Sequence, residues 1–181
     1  FWNKKQNCLF DVIHGPEGIE GSDGRRYDGS IRPNQIFSVS LPYSPISTEV
    51  QRAVVDTCAR DLVTSHGLRS LSKDSADYEG RYAGDQRQRD GSYHQGTVWG
   101  WLLGPFAEAH YRVYRDAEVA RSFLMPLGRH LRDACVGSIS EIFDGDPPPC
   151  SPWVLCASME CLGNTACLGG AKWSGRWRRE F

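Results

Sequence analysis

Apolar residues recur every three or four positions in three separate stretches, and this period restricts the fold more than any other feature of the chain. Val50, Val54, Cys58 and Leu62 form one stripe, Val98, Leu102, Phe106, Ala109 and Val113 a second, and Leu124, Leu127, Leu131 and Ala134 a third. Side chains at that spacing share one face of an α-helix, so each stretch can bury one side and leave the other in water. Thr48 and Gln51 stand at capping-box spacing before the first stripe, and Gly67 is placed to close that helix. The second helix is expected over residues 97–114, bent near Pro105, and the third over 117–134, with an irregularity at Pro126. Pro33 can open a shorter helix over residues 35–41 that Pro42 stops.

Between these stretches the pattern changes. WN, CLF and DVI within residues 1–13 suggest a short extended or hairpin element, and the Gly- and charge-rich residues 14–30 read as a loop. Residues 68–92 are polar, Gly-rich and decorated with Tyr, Asp and Arg, which suits a shaped loop lining a site. The periodicity by itself therefore says mostly helical. At 181 residues the chain can bury one core, and a net charge of −1 points to no nucleic acid or other polyanion as partner. No apolar run is long enough for a membrane span, and FWNKKQ carries neither an initiator Met nor a signal-peptide profile, so a piece of a longer chain is expected.

Residues 89–106, RDGSYHQGTVWGWLLGPF, gather titratable, amide and aromatic side chains ahead of the second stripe. Sugar pockets are built this way: aromatic faces receive the apolar side of the ring, and Asp90, His94 and Gln95 can fix hydroxyl groups by directional hydrogen bonds. Ordinary packing and capping is the competing explanation. Asp90 can instead cap a helix or pair with Arg87 or Arg89, and His94 can be a hydrogen-bonded structural histidine. Trp99 is the expected stacking platform, whereas Trp101 points elsewhere on a helix and belongs to the core. Arg32 and Asn34, beside Pro33, are candidates for the pocket mouth, with local capping as the alternative.

Two flanking segments, IRPNQIFSVSLP at 31–42 and GSISEIFDGD at 137–146, stand in the order and approximate spacing of one family. FWN followed by LFDVI, then QRAVVD, GLRSLS, YEGRYAGDQ and VYRDAEVA, fit the same pattern. From residue 1 to about 148 the chain resembles the C-terminal catalytic region of glycogen debranching enzyme, the amylo-α-1,6-glucosidase domain. The resemblance implies an all-α fold, the later half of a six-hairpin (α/α) toroid, whose open edge would leave apolar faces exposed. It also implies an inverting glycoside hydrolase of the cytoplasm, acting on glycogen or a branched α-glucan and needing no cofactor or metal.

Glycoside hydrolysis through an oxocarbenium-like transition state needs one carboxyl acid and one carboxylate. By spacing alone Glu141 is a loop glutamate; the SEIFDGD resemblance makes it the expected general base, with the general acid upstream of Phe1. Asp85 and Asp90 are then expected to bind substrate. Gly100 stands where the related pattern has Pro, a departure expected to touch no catalytic group. The rival functional readings are a catalytically silent α-glucan-binding segment and a different toroid glycosidase, glucoamylase-like or trehalase-like.

After residue 148 the resemblance breaks off. Cys150, Cys156, Cys161 and Cys167 supply four of the seven cysteines, without the tight CxxC pair that zinc sites favour. A one-base shift explains the tail. Trp153 followed by Val154 then must encode Gly, and Met159 followed by Glu160 must encode Trp. With suitable third bases CSPWVLCASMECLGNTA becomes APRGCFAQAWSVWEIL, similar to the family's continuation. A surplus cytosine in the codons of Pro147, Pro148 and Pro149 is the expected origin, which makes residues 149–181 a non-native tail.

Overall fold

The computed structural model describes residues 1–16, 18–132, 137–146 and 156–157. The assignment of residues 149–181 to a shifted frame lies outside these, apart from the backbone of two residues. A β-hairpin opens the chain, β1 (Trp2–Asn3) against β2 (Cys8–Leu9). β3 (Val12–Ile13), β4 (Ile19–Glu20) and β5 (Arg26–Asp28) form an antiparallel sheet with β5 in the middle. A 3-10 turn (Pro33–Ile36) leads into α1 (Phe37–Ser40), followed by α2 (Thr48–Asp61).

β6 (Leu68–Arg69), α3 (Gln86–Ser92) and β7 (Val98–Trp99) come next. A second 3-10 turn (Gly100–Leu102) enters α4 (Leu103–Tyr114), and α5 (Ala117–His130) follows. β8 (Ile139–Ser140) pairs with β10 (Cys156–Ala157), while β9 (Ile142–Phe143) joins β7 and β6 in an antiparallel sheet of order β6-β7-β9.

The core lies where α4 packs against α1, α2 and α5. Phe106 and Leu103 of α4, Val54 and Cys58 of α2, and Ile36 are wholly buried there. The apolar stripe of α2 therefore faces inward as its four-residue period predicts. Its cap is Ser47, one residue before Thr48, whose side chain accepts from the Val50 N–H. Pro105 falls in the first turn of α4, where the missing N–H has no intrahelical partner to lose. No helix among the described residues is long and apolar enough to cross a membrane.

The all-α, half-toroid expectation does not hold. Strands two or three residues long accompany the helices, giving a mixed α/β chain. Residues 14–30 contribute two strands of a sheet, and residues 68–92, read as one loop, contain β6 and α3. Val98 and Trp99, counted into the second helix, form the central strand of a sheet. The physical reason is length: a two-residue strand is too short to show the alternation by which strands are recognised. Gly67 likewise does not close α2, which ends at Leu62; a Cβ at Gly67 would collide with the carbonyl of Trp99, so glycine there lets two strands approach.

Candidate active site

β7 assembles the site because it lies between β6 and β9. Its register sets Val98 opposite Phe143 and Trp99 opposite Ile142, which brings the aromatic motif beside the SEIFDGD segment. Glu141 is the single residue between β8 and β9, where the chain passes from one sheet to another. Residues 139–140 and 142–145 on either side are buried, whereas Glu141 is half-buried, the one residue of this bend that reaches toward the surface.

Polar contacts hold this bend. The Gly100 N–H donates to the Glu141 carbonyl at 3.3 Å. The Ser140 N–H donates to Nε2 of the buried His130 at 3.3 Å, and the Ser140 hydroxyl lies 3.0 Å from the same nitrogen. The Tyr93 hydroxyl donates to Oε1 of Glu141 at 3.1 Å. Gly100 thus does contact the proposed catalytic residue, contrary to the sequence expectation. A proline there would lack the donating N–H.

A cluster of rings stands around Tyr93. The Tyr93 ring meets Trp99 edge-on at 4.9 Å and His94 edge-on at 5.0 Å, and Tyr82 lies tilted against it at 5.8 Å. The His94 ring lies parallel to the Trp99 indole, 5.2 Å away with an interplanar angle of 3°. One face of the expected stacking platform is therefore covered by histidine. Burial first, and then the hydrogen bond to Glu141, push the Tyr93 phenol up to about 12, so it is a proton donor throughout the neutral range.

The loop before α3 is fastened by the end of the SEIFDGD segment. Asp144, buried, accepts from the Tyr82 N–H at 3.0 Å and so places Tyr82 against Tyr93. Asp146 accepts from the Tyr78 hydroxyl and the Lys73 ammonium, each at 3.1 Å. Burial opposes ionisation of Asp146, yet the hydrogen bonds from Lys73 and Tyr78 hold its carboxyl below the usual Asp value. Gly96, with φ +142°, lets the backbone of Glu79 come so near that a Cβ would stand 2.7 Å from its carbonyl oxygen.

The other sequence candidates divide. Gln95 is half-buried, and its side-chain oxygen accepts from Arg32 at 2.8 Å. Arg32 also donates to the carbonyls of His94 (2.6 Å) and Ser70 (3.1 Å) and stands 3.7 Å from Asp11, so it fixes the backbone that carries the rings. Asp85 caps α3, accepting from the Gln88 N–H at 2.9 Å in a full capping box, and is exposed. Asp90 sits exposed on α3. Asn34, also exposed, lines a separate hollow of about 190 Å³ with Phe1, Phe10, Asp11 and Arg32.

A larger hollow of about 410 Å³ is lined by Glu79, Arg81, Arg87 and Gln88 and does not include Glu141. We weigh the carboxylate and its rings above that open basin, because directional donors and aromatic faces are what a sugar requires. Tyr93 and Tyr82 escaped the sequence reading. Tyr93 adjoins the candidate His94, but nothing in its spacing shows that it reaches residue 141. Among the described residues, no group of three or more His, Cys, Asp or Glu could hold a metal ion.

A half-buried carboxylate that accepts from a phenol, itself bordered by an imidazole and an indole, suits a carbohydrate ligand. The chain belongs to the amylo-alpha-1,6-glucosidase family, whose model matches residues 1–156. It is thus related to the glycosidase domain of glycogen debranching enzymes, as its motifs suggest. No curated protein is similar enough to count as a match.

Proposed function

We propose that the chain supplies the general base of an inverting glycoside hydrolase that cleaves α-1,6-glucosidic branch points of glycogen or a related α-glucan. Family membership supports the substrate class, and one observation carries the mechanism: the Glu141 carboxylate, half-buried at a strand-to-strand bend, accepts from Tyr93, whose ring borders those of Trp99 and His94. In this reading Glu141 removes a proton from water as its oxygen bonds to the anomeric carbon. The bond to the branch oxygen breaks on the opposite face, and that oxygen takes its proton from a general acid outside residues 1–181, as the resemblance implies. His94 and Trp99 form the sugar platform, Gln95 and Asp90 contact hydroxyl groups, and Arg32 steadies the segment bearing them.

The test is Glu141→Gln in the full-length protein, followed by glucose release from a branched limit dextrin and by binding of a malto-oligosaccharide. Turnover should fall by roughly two to four orders of magnitude, the usual range for a lost general base, with little change in binding. Near-normal hydrolysis would remove Glu141 from the role. Binding by the unsubstituted protein without any glucose release would favour a silent glucan-binding role.

Residues 149–181 are, in the same reading, the product of a shifted frame. A high-accuracy DNA read across the Pro147 to Pro149 codons should reveal one surplus cytosine. A correct tract would make the tail genuine.

A further inference from the structure

A general base must present one oxygen to water and remain ionised while it does so. Glu141 has two carboxylate oxygens, and among the described residues the only hydrogen bond to either comes from the Tyr93 hydroxyl, on Oε1. Tyr93 itself has little freedom. It is the C-cap of α3, its carbonyl accepts from the Thr97 hydroxyl at 2.6 Å, and its ring is bordered by Tyr82, His94 and Trp99. Phenol, carboxylate and platform are therefore one assembly.

Resting on the assignment of Glu141 as base, we infer that Tyr93 is its positioning residue: the phenol ties up Oε1 and leaves Oε2 to receive the proton of the attacking water. The same ring borders the sugar platform. Loss of the hydroxyl alone is thus separable from loss of the ring, because phenylalanine keeps the aromatic wall.

The experiment compares Tyr93→Phe, Glu141→Gln and the unsubstituted full-length protein in glucose release from a branched limit dextrin. Tyr93→Phe should lower kcat about tenfold and leave KM within about twofold. A merely structural role would lower the folded fraction and leave kcat per folded molecule unchanged. An unchanged kcat per folded molecule, alongside an inactive Glu141→Gln, overturns the inference while the base assignment stands. An active Glu141→Gln overturns both.

Should Tyr93→Phe fold poorly, tyrosinate absorbance provides a second reading. The late-ionising phenol should ionise at lower pH in Glu141→Gln, because the neighbouring negative charge is gone and a neutral amide oxygen is a weaker acceptor. An unchanged titration would show that the two groups do not interact and would overturn the inference without any activity measurement.

Discussion

The helical layer and the sheet-built site are held together in different ways. In the layer of α1, α2, α4 and α5, apolar side chains fill space: Phe106, Leu103, Val54 and Val55 are wholly buried. Around Glu141 main chains approach too closely for side chains at Gly67 and Gly96, and single polar struts such as Arg32, Asp144 and Tyr93 set distances. The first arrangement stores stability in many weak contacts, whereas the second stores geometry in a few specific ones. Substitutions should therefore damage the two regions differently.

The largest effect on folding is expected from Phe106→Ala, which should cost about 3–5 kcal/mol in urea unfolding, the range for a large buried aromatic. Malto-oligosaccharide binding by the molecules that remain folded should hardly change. Gly96→Ala should cost less, roughly 1–3 kcal/mol for strain at a positive φ, yet weaken binding out of proportion to the stability lost. Equal losses of binding per folded molecule in the two variants would erase the distinction between the regions.

The smallest effect concerns acid. Asp146 has a folded-state value below the ordinary 3.8, so its contribution to stability is complete above that pH and is lost as pH falls through the folded value. Its partner Lys73 is well exposed, so solvent screening keeps the contribution small. Comparing thermal melts of the unsubstituted protein and Asp146→Asn at neutral and acid pH should show a gap that narrows toward acid. A gap that widened would mean that the clamp on the loop does not depend on this charge.

The same contrast explains what the sequence made legible. Val54, Cys58 and Leu62 face inward because a 14-residue helix repeats its period often enough to be recognised. The site resisted reading because its strands are two residues long and its partners lie far apart, as Tyr93 and Glu141 do, 48 positions from each other. Glu141 was singled out through family likeness, since a half-buried glutamate at a bend has no local signature. Asp85, an expected substrate ligand, takes part in a capping box, a role its spacing to Gln88 already allows. The strands escaped the mostly helical reading for a related reason: helix stripes report on helices and are silent about brief strand pairings.

Arg32 has a consequence for the order in which the molecule assembles. Its hydrogen bonds join it to residues 38, 62 and 63 positions away, whereas α4 and α5 are neighbours in the chain. Long closures give up chain entropy before any bond rewards them, while neighbouring helices can meet early. During refolding, far-UV helical signal should therefore return before the near-UV signal of the Trp99 cluster, and one shared rate would refute this. For that interval the chain would be helical and blind to sugar, with its glutamate already synthesised but not yet seated.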